Sequence, residues 1–371
     1  MSRRIIHLLS PAPFGGLETV VEALAIGQQR AGQDVSVAAF MQEGDADVTL
    51  LRRLREEGVP VHLIVTAPRR HDRQRALTIE LLTAERPDVL HTHGYVADVM
   101  GWLARGATET PHVATVHGFT GGGLKNRLYE RLQCRALRGA DAVVAVSAKL
   151  AKDLIFRRVP KPCIQIVRNA WVGPPFEREP AGAPAALRDA CELGWVGRIS
   201  REKGLDVLLD ALPLLTTDRW TLTIVGDGRE RASLEQRVRE STFAERVTWM
   251  GAVDGVSEYI AGFDVLVISS RTEGTPMTLL EAMSAHVPVV TTRVGGIPDV
   301  VSEKEAWLVD AENPAALAAA IDAACDDPAE ARRRARAARE RLDADFASGP
   351  WLARYDIIYD SLLARRPRVT T

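Results

Sequence analysis

Short apolar runs rich in valine and isoleucine punctuate the whole chain, and amphipathic stretches with helical spacing separate them. Runs that stay apolar at nearly every position predict strands buried on both faces, as parallel sheets require. In the first half these runs are Ile5–Leu9, Val35–Phe40, Val61–Val65, Asp88–Thr92, His112–Val116, Ala142–Ala145 and Ile164–Val167. In the second half they are Leu193–Gly197, Thr221–Val225, Val247–Met250, Asp264–Ile268, Pro288–Thr291 and Ala306–Val309. Gly173–Pro184 is the segment densest in proline and glycine and reads as a linker. Pro328–Asp345 and Pro350–Ala364 read as terminal helices. The alternation predicts an α/β protein of two doubly wound domains, residues 1–170 and 171–349, facing each other across a cleft. Ligands are expected at the carboxyl ends of the strands and in that cleft.

A length of 371 residues also favours two domains. The net charge of −2 conceals an asymmetry. Residues 1–170 carry 23 Lys/Arg against 17 Asp/Glu, and residues 171–371 carry 24 against 32. Such a division suits an anionic ligand or surface beside the first domain. The four cysteines have no Cys-x-x-Cys spacing, which argues against a zinc site and predicts reduced thiols in a cytoplasmic setting. The apolar run at the start is too short for a secretory leader or a membrane span, so a soluble protein is expected.

The richest chemistry follows the run Val265–Ile268, where Glu273 and Glu281 stand with seven residues between them. Gly274, Thr275 and Pro276 are expected to open a helix there, since proline is tolerated in a first turn. The amides of Thr275, Met277 and Thr278 would then face an anion at the positive end of the helix dipole. Glu281, about a turn further on, can accept hydrogen bonds from a pair of hydroxyls. An anion cradle beside a diol acceptor describes a nucleotide-sugar site. Arg198 and Lys203 flank a short loop after another strand and can neutralise a diphosphate from two sides. Gly15 and Gly16, after the first strand, let the backbone approach a phosphate or simply make a tight turn. They lack the Gly-x-Gly-x-x-Gly spacing of a dinucleotide site. The backbone near Val253 can meet a nucleobase edge. His91 and His93 share a strand face, but no third metal ligand is evident, so no metal is expected. The triplets Asp45–Asp47 and Asp343–Asp345 read as surface features.

Taken together, these residues resemble the retaining glycosyltransferases of family 4 (group 1, GT-B fold), over nearly the whole chain. The resemblance implies two Rossmann-like domains, with the last helix, about 350–371, crossing back to the first. It implies a UDP- or GDP-sugar donor in the second domain, with Glu281 on the ribose hydroxyls and Arg198 and Lys203 on the diphosphate. The main chain near Val253 would take the base, while Glu273 and the amides of Gly274 to Met277 would position the sugar. Gly15 and Gly16 would close over the phosphates, and His117 would reach the sugar near its reacting carbon. Asn169 matches the family's Asn-Gly hinge, with Ala170 in place of glycine. Thr275-Pro276 stands where Phe-Gly is frequent, which leaves the donor sugar open. No cofactor and no metal are implied.

Lys125–Lys161 holds ten basic and three acidic residues, with Leu124, Leu128 and Leu132 at helical spacing. This is either a core-facing stripe with a solvated basic face or a surface for anionic lipid headgroups. The second alternative implies a lipid-linked or polysaccharide acceptor at the inner membrane face. No nucleic-acid partner is expected, because the arginines of Pro328–Asp345 read as a solvated helix face. The rival readings are a nucleotide-sugar epimerase, a transferase acting on a small soluble acceptor, and a two-lobed binding protein.

Overall fold

The computed structural model describes residues 2–12, 15–44, 48–119, 124–173, 190–253 and 255–365, apart from the side chains of Leu124 and Lys125. Pro13, Phe14, Asp45–Asp47, Gly121–Gly123, Asp254 and the linker beyond Gly173 lie outside the described residues. Each of the thirteen apolar runs contains a strand. They are β1 (Arg4–Leu9), β2 (Asp34–Gln42), β3 (Val61–Thr66), β4 (Val89–His93), β5 (His112–Val116), β6 (Ala142–Ala145) and β7 (Ile164–Ile166). The second group is β8 (Cys191–Val196), β9 (Trp220–Val225), β10 (Val247–Gly251), β11 (Val265–Ile268), β12 (Val289–Thr292) and β13 (Trp307–Val309).

The strands form two parallel sheets, ordered β3-β2-β1-β4-β5-β6-β7 and β10-β9-β8-β11-β12-β13. Central strands β4, β5, β6, β11 and β12 are buried at every position, as strands covered by helices on both faces must be. Edge strands β3 and β10 show alternation instead. In each sheet the order reverses beside the first strand, at β1/β4 and at β8/β11. Connections leave in opposite directions there and open a crevice at the strands' carboxyl ends.

The chain divides into two compact units, Met1–Asn169 with Ser348–Thr371, and Ala170–Ala347. The helix Ser348–Leu363 packs in the first of these, burying Trp351, Tyr355 and Tyr359. Asp356 on this helix pairs with Arg3 at 2.5 Å. The core of the other unit gathers Trp195, Leu222, Ile224, Val265 and Val267 from the sheet with Leu317 and Ile321 from the helix Pro314–Asp326.

Two expectations need correction. Cys191 on β8 and Cys325 on that helix are disulfide-bonded, their Cα atoms 6.1 Å apart, while Cys134 and Cys163 are free. A separation of 134 residues hid the pair, which only the packing of helix on sheet brings together. The arginines of Pro328–Asp345 are also less uniform than a solvated face. Arg334 donates to the Ala306 carbonyl at 2.7 Å and lies over the Trp307 ring, and Arg341 pairs with Glu305. Asp343 and Asp345 are paired with Arg339 and Arg341 on their own helix.

Candidate functional site

The crevice at β8/β11 carries most of the expected chemistry. The loop after β8 turns back at Gly204, whose φ of +65° favours glycine. A Cβ there would stand 2.1 Å from the Ser269 carbonyl oxygen, so the loop lies directly on the end of β11. Ser269 Oγ donates to the Gly204 carbonyl at 2.7 Å and accepts from Trp195 Nε1 at 3.2 Å. Arg271 completes the clamp. Its amide donates to the Glu202 carbonyl at 2.8 Å, and its guanidinium makes two parallel bonds to Asp206 at 2.7 and 2.8 Å. It also donates to the Arg201 carbonyl and pairs with Glu312. The bond to Asp206, with that to Glu312, holds the Arg271 guanidinium well above its ordinary pKa.

This clamp fixes Lys203 against Glu273. The Lys203 ammonium donates to both Glu273 carboxylate oxygens, at 2.7 and 2.9 Å, and Ser270 Oγ donates to one of them at 2.6 Å. The Glu273 side chain is 7% exposed. Behind it a Cβ at Gly295 would come within 1.8 Å of the Glu273 carbonyl oxygen, and the Gly296 amide donates to that oxygen. Lys203 and Glu273, expected on separate parts of a ligand, therefore hold each other here. An ammonium has three donors, so one remains for a further acceptor.

The helix begins at Met277, with Pro276 as its N-cap. The expected opening at Gly274–Pro276 is thus shifted, because the Pro276 ψ of 123° is extended, and the Thr275 amide lies outside the helix. Met277 and Thr278 supply the first helical amides. Glu281, one turn on, has its Oε2 buried without a hydrogen-bond partner. Burial alone pushes its carboxyl up to about 7. Arg198 is exposed; its carbonyl accepts from Ser200 Oγ at 3.3 Å, and its guanidinium pairs with no described residue. Val253 follows the end of β10, where Gly251 accepts from the Gly226 amide at 2.7 Å.

In the other unit Gly15 caps the helix Gly16–Arg30, in extended backbone that any residue adopts. Glu18 on that helix accepts from the Ala12 amide at 2.7 Å. His117 follows β5, half-buried, and burial pushes its pKa down to about 4. The absence of a third histidine beside His91 and His93 is corrected: His7 on β1 reaches both, and one nitrogen of each of the three rings lies within 4.8 Å of the others. In the basic segment Leu128 and Leu132 are 55% and 45% exposed, so these two leucines do not face the core.

Sequence reading missed Arg271, Asp206, Ser269, Ser270 and Gly295 as parts of the site. Ser269, Ser270 and Arg271 stood inside the segment already singled out. The pairing with Asp206 and the turn at Gly295 come from other strand ends and leave no local pattern.

A family model described as "Glycosyl transferases group 1" matches residues 190–327, and one described as "Glycosyl transferase 4-like domain" matches residues 15–170. The chain belongs to the group 1 glycosyltransferases. It is 31% identical to a glycogen synthase of Mycobacterium tuberculosis over 275 residues, 70% of this chain and 66% of the relative. The chain thus spans just under two thirds of that protein's length. It is 28% identical to the lipopolysaccharide core biosynthesis mannosyltransferase LpsB of Rhizobium meliloti, covering 61% of this chain and 67% of the relative. Its fold is that of Anabaena Alr3699/HepE in complex with UDP-glucose (TM-score 0.84, 20% identity, 96% of this chain and all of that one). Sucrose-phosphate synthase from Thermosynechococcus elongatus is similar too (TM-score 0.82, 23% identity, 98% and 100% covered). The GT-B fold follows, with the two Rossmann-like sheets this family shares.

Proposed function

We propose that the chain transfers a sugar, with retention, from a UDP- or GDP-sugar to an acceptor hydroxyl. The observation that carries the reading is the Glu281 carboxyl, whose Oε2 is buried without a partner, in the unit whose loops present Arg198 and Lys203. A ribose diol supplies the two hydroxyl donors that such a carboxyl lacks. Arg198 and the third Lys203 donor suit the diphosphate, and Glu273, held by Lys203 and Ser270, suits the sugar hydroxyls. The Gly274–Met277 backbone lies beside it, and Val253 suits the base. As the anomeric C–O bond breaks, its electron pair leaves with the diphosphate. Lys203, held in place by Glu273, and the Met277 and Thr278 amides stabilise that charge with little reorganisation, and Arg198 closes on it from solvent. The acceptor oxygen bonds to the anomeric carbon, and its proton passes to the departing phosphate. Gly15, Gly16 and His117 enter through the family resemblance, on the phosphates and on the sugar.

No metal is required in this scheme, and chelator is expected to leave the rate unchanged. The acceptor is read as lipid-linked or a growing polysaccharide. The exposed Leu128 and Leu132 between Arg127, Arg131 and Arg135 support peripheral contact with anionic lipid. Among the described residues no helix is long and apolar enough to cross a membrane.

The test is nucleoside diphosphate release from a donor panel, with and without acceptors. Lys203→Ala should raise the barrier by about 3 kcal/mol, and Glu281→Ala should chiefly weaken donor binding. Parent rates in both variants at subsaturating donor defeat the assignment. Donor conversion without acceptor favours the epimerase instead. Co-sedimentation with liposomes that ignores both anionic lipid and salt removes the membrane contact.

A further inference from the structure

Seven buried or half-buried side chains of the N-terminal unit form one unbroken hydrogen-bonded chain. His117 Nε2 meets His93 Nδ1 at 3.3 Å, and His93 Nε2 meets His7 Nδ1 at 3.0 Å. His7 Nε2 meets Gln28 Oε1 at 2.8 Å, and Gln28 Nε2 donates to Tyr359 Oη at 3.2 Å. Tyr359 Oη meets His91 Nδ1 at 2.7 Å, and His91 Nε2 meets Thr115 Oγ1 at 2.7 Å. His7, His91 and His93 are each at most 1% exposed.

A neutral imidazole carries one donor and one acceptor, so each contact fixes the next. Gln28 turns Oε1, which only accepts, to His7 and its amide nitrogen to Tyr359; in this orientation His7 carries its proton on Nε2 and accepts at Nδ1. His93 must then donate from Nε2 and accept at Nδ1, and His117 must donate from Nε2. The hydroxyls of Tyr359 and Thr115 occupy both nitrogens of His91. Every nitrogen of His7, His91 and His93 is used, which leaves no lone pair for a metal despite their clustering. Burial keeps all four rings neutral, pushing His7 and His117 down to about 4 and the other two well below their ordinary values.

We infer that Gln28, His7 and His93 are positioning residues that lock His117 as the Nε2–H tautomer, leaving Nδ1 as its one free ring atom and an obligate acceptor. No described residue bonds to that Nδ1. A ligand hydroxyl must therefore donate to His117 and cannot accept from it. The catalytic relevance of the lock rests on the proposed role of His117 at the transferred sugar, whereas the lock itself does not.

The test is long-range proton–nitrogen NMR on the full chain labelled at histidine, without donor. His117 should show an unprotonated, pyridine-like Nδ1 and a protonated Nε2, and His7 and His93 should match it. In His7→Phe or Gln28→Leu, whichever folds, His117 should shift towards a mixture of tautomers. In an active preparation kcat should fall about tenfold, one hydrogen bond's worth, with the KM for donor held. A protonated Nδ1 on His117 in the parent overturns the inference, as do unchanged His117 nitrogen shifts in a folded variant. Stoichiometric metal on the purified protein, lost in His7→Phe, overturns it as well. Absence of any transferase activity sinks the proposed function while leaving the NMR result to decide the relay.

Discussion

Replacing Glu281 with glutamine is expected to move stability and donor binding in opposite directions. The carboxyl is pushed up to about 7 in the fold, against an ordinary 4.5, because burial penalises its charged form. The unfolded chain therefore loses this proton first. Between pH 4.5 and 7 the native state binds more protons than the unfolded state, so stability falls as pH rises and levels off above 7. The 2.5 pH units between those values correspond to a loss of about 3 kcal/mol. Glutamine cannot ionise, so the variant escapes this loss. Its other costs, including an amide in place of an acid, are independent of pH. Denaturant unfolding of the ligand-free proteins across pH 4.5 to 7.5 should show the difference between variant and parent growing by that amount. Donor binding reverses the sign. Two hydroxyls donating to the carboxylate favour its charged form, at about 1.5–3 kcal/mol per charge-assisted bond. Calorimetric titration with a nucleoside diphosphate near pH 6.5, in two buffers of different ionisation enthalpy, should reveal more proton release by the parent than by the variant, whose release is that of the ligand's own terminal phosphate. Parallel stability profiles, or proton uptake on binding, refute the reasoning.

Three other outcomes test the frame of the site. Arg271→Ala should cost about 1–2 kcal/mol of stability, since its partners are partly solvated; a larger relative drop in kcat than in thermal midpoint would show that the Lys203 loop has loosened. Gly295→Ala forces a methyl into the Glu273 carbonyl at a positive φ and should destabilise by about 3 kcal/mol, read from the denaturant midpoint. Reducing agent should lower the stability of the Ala170–Ala347 unit by up to about 5 kcal/mol, the chain-entropy value for so long a loop. Thiol titration of the unreduced, denatured protein should then count two groups, Cys134 and Cys163.

Strands were legible because a parallel sheet demands unbroken apolar runs, and that demand is local. Glu273, Glu281, Arg198 and Lys203 stood out as candidates because opposite charges recurred just past such runs. What escaped was whatever depends on two distant segments meeting. Lys203 on Glu273, Arg271 on Asp206, Cys191 on Cys325 and His7 beside His91 each join residues whose neighbours in sequence say nothing of the partner. The helix start moved from Gly274 to Met277 for a different reason. A proline fixes its own φ yet leaves ψ free, and Pro276 uses that freedom to cap instead of to enter the helix.

The helix Ser348–Leu363 has a consequence for biosynthesis. The unit that emerges first from the ribosome lacks Tyr355, Tyr359 and the Asp356 partner of Arg3 until the final helix is translated. Residues 170–347 can complete their own sheet meanwhile. The packing of the earlier-made unit is therefore completed only by a helix translated after residues 170–347.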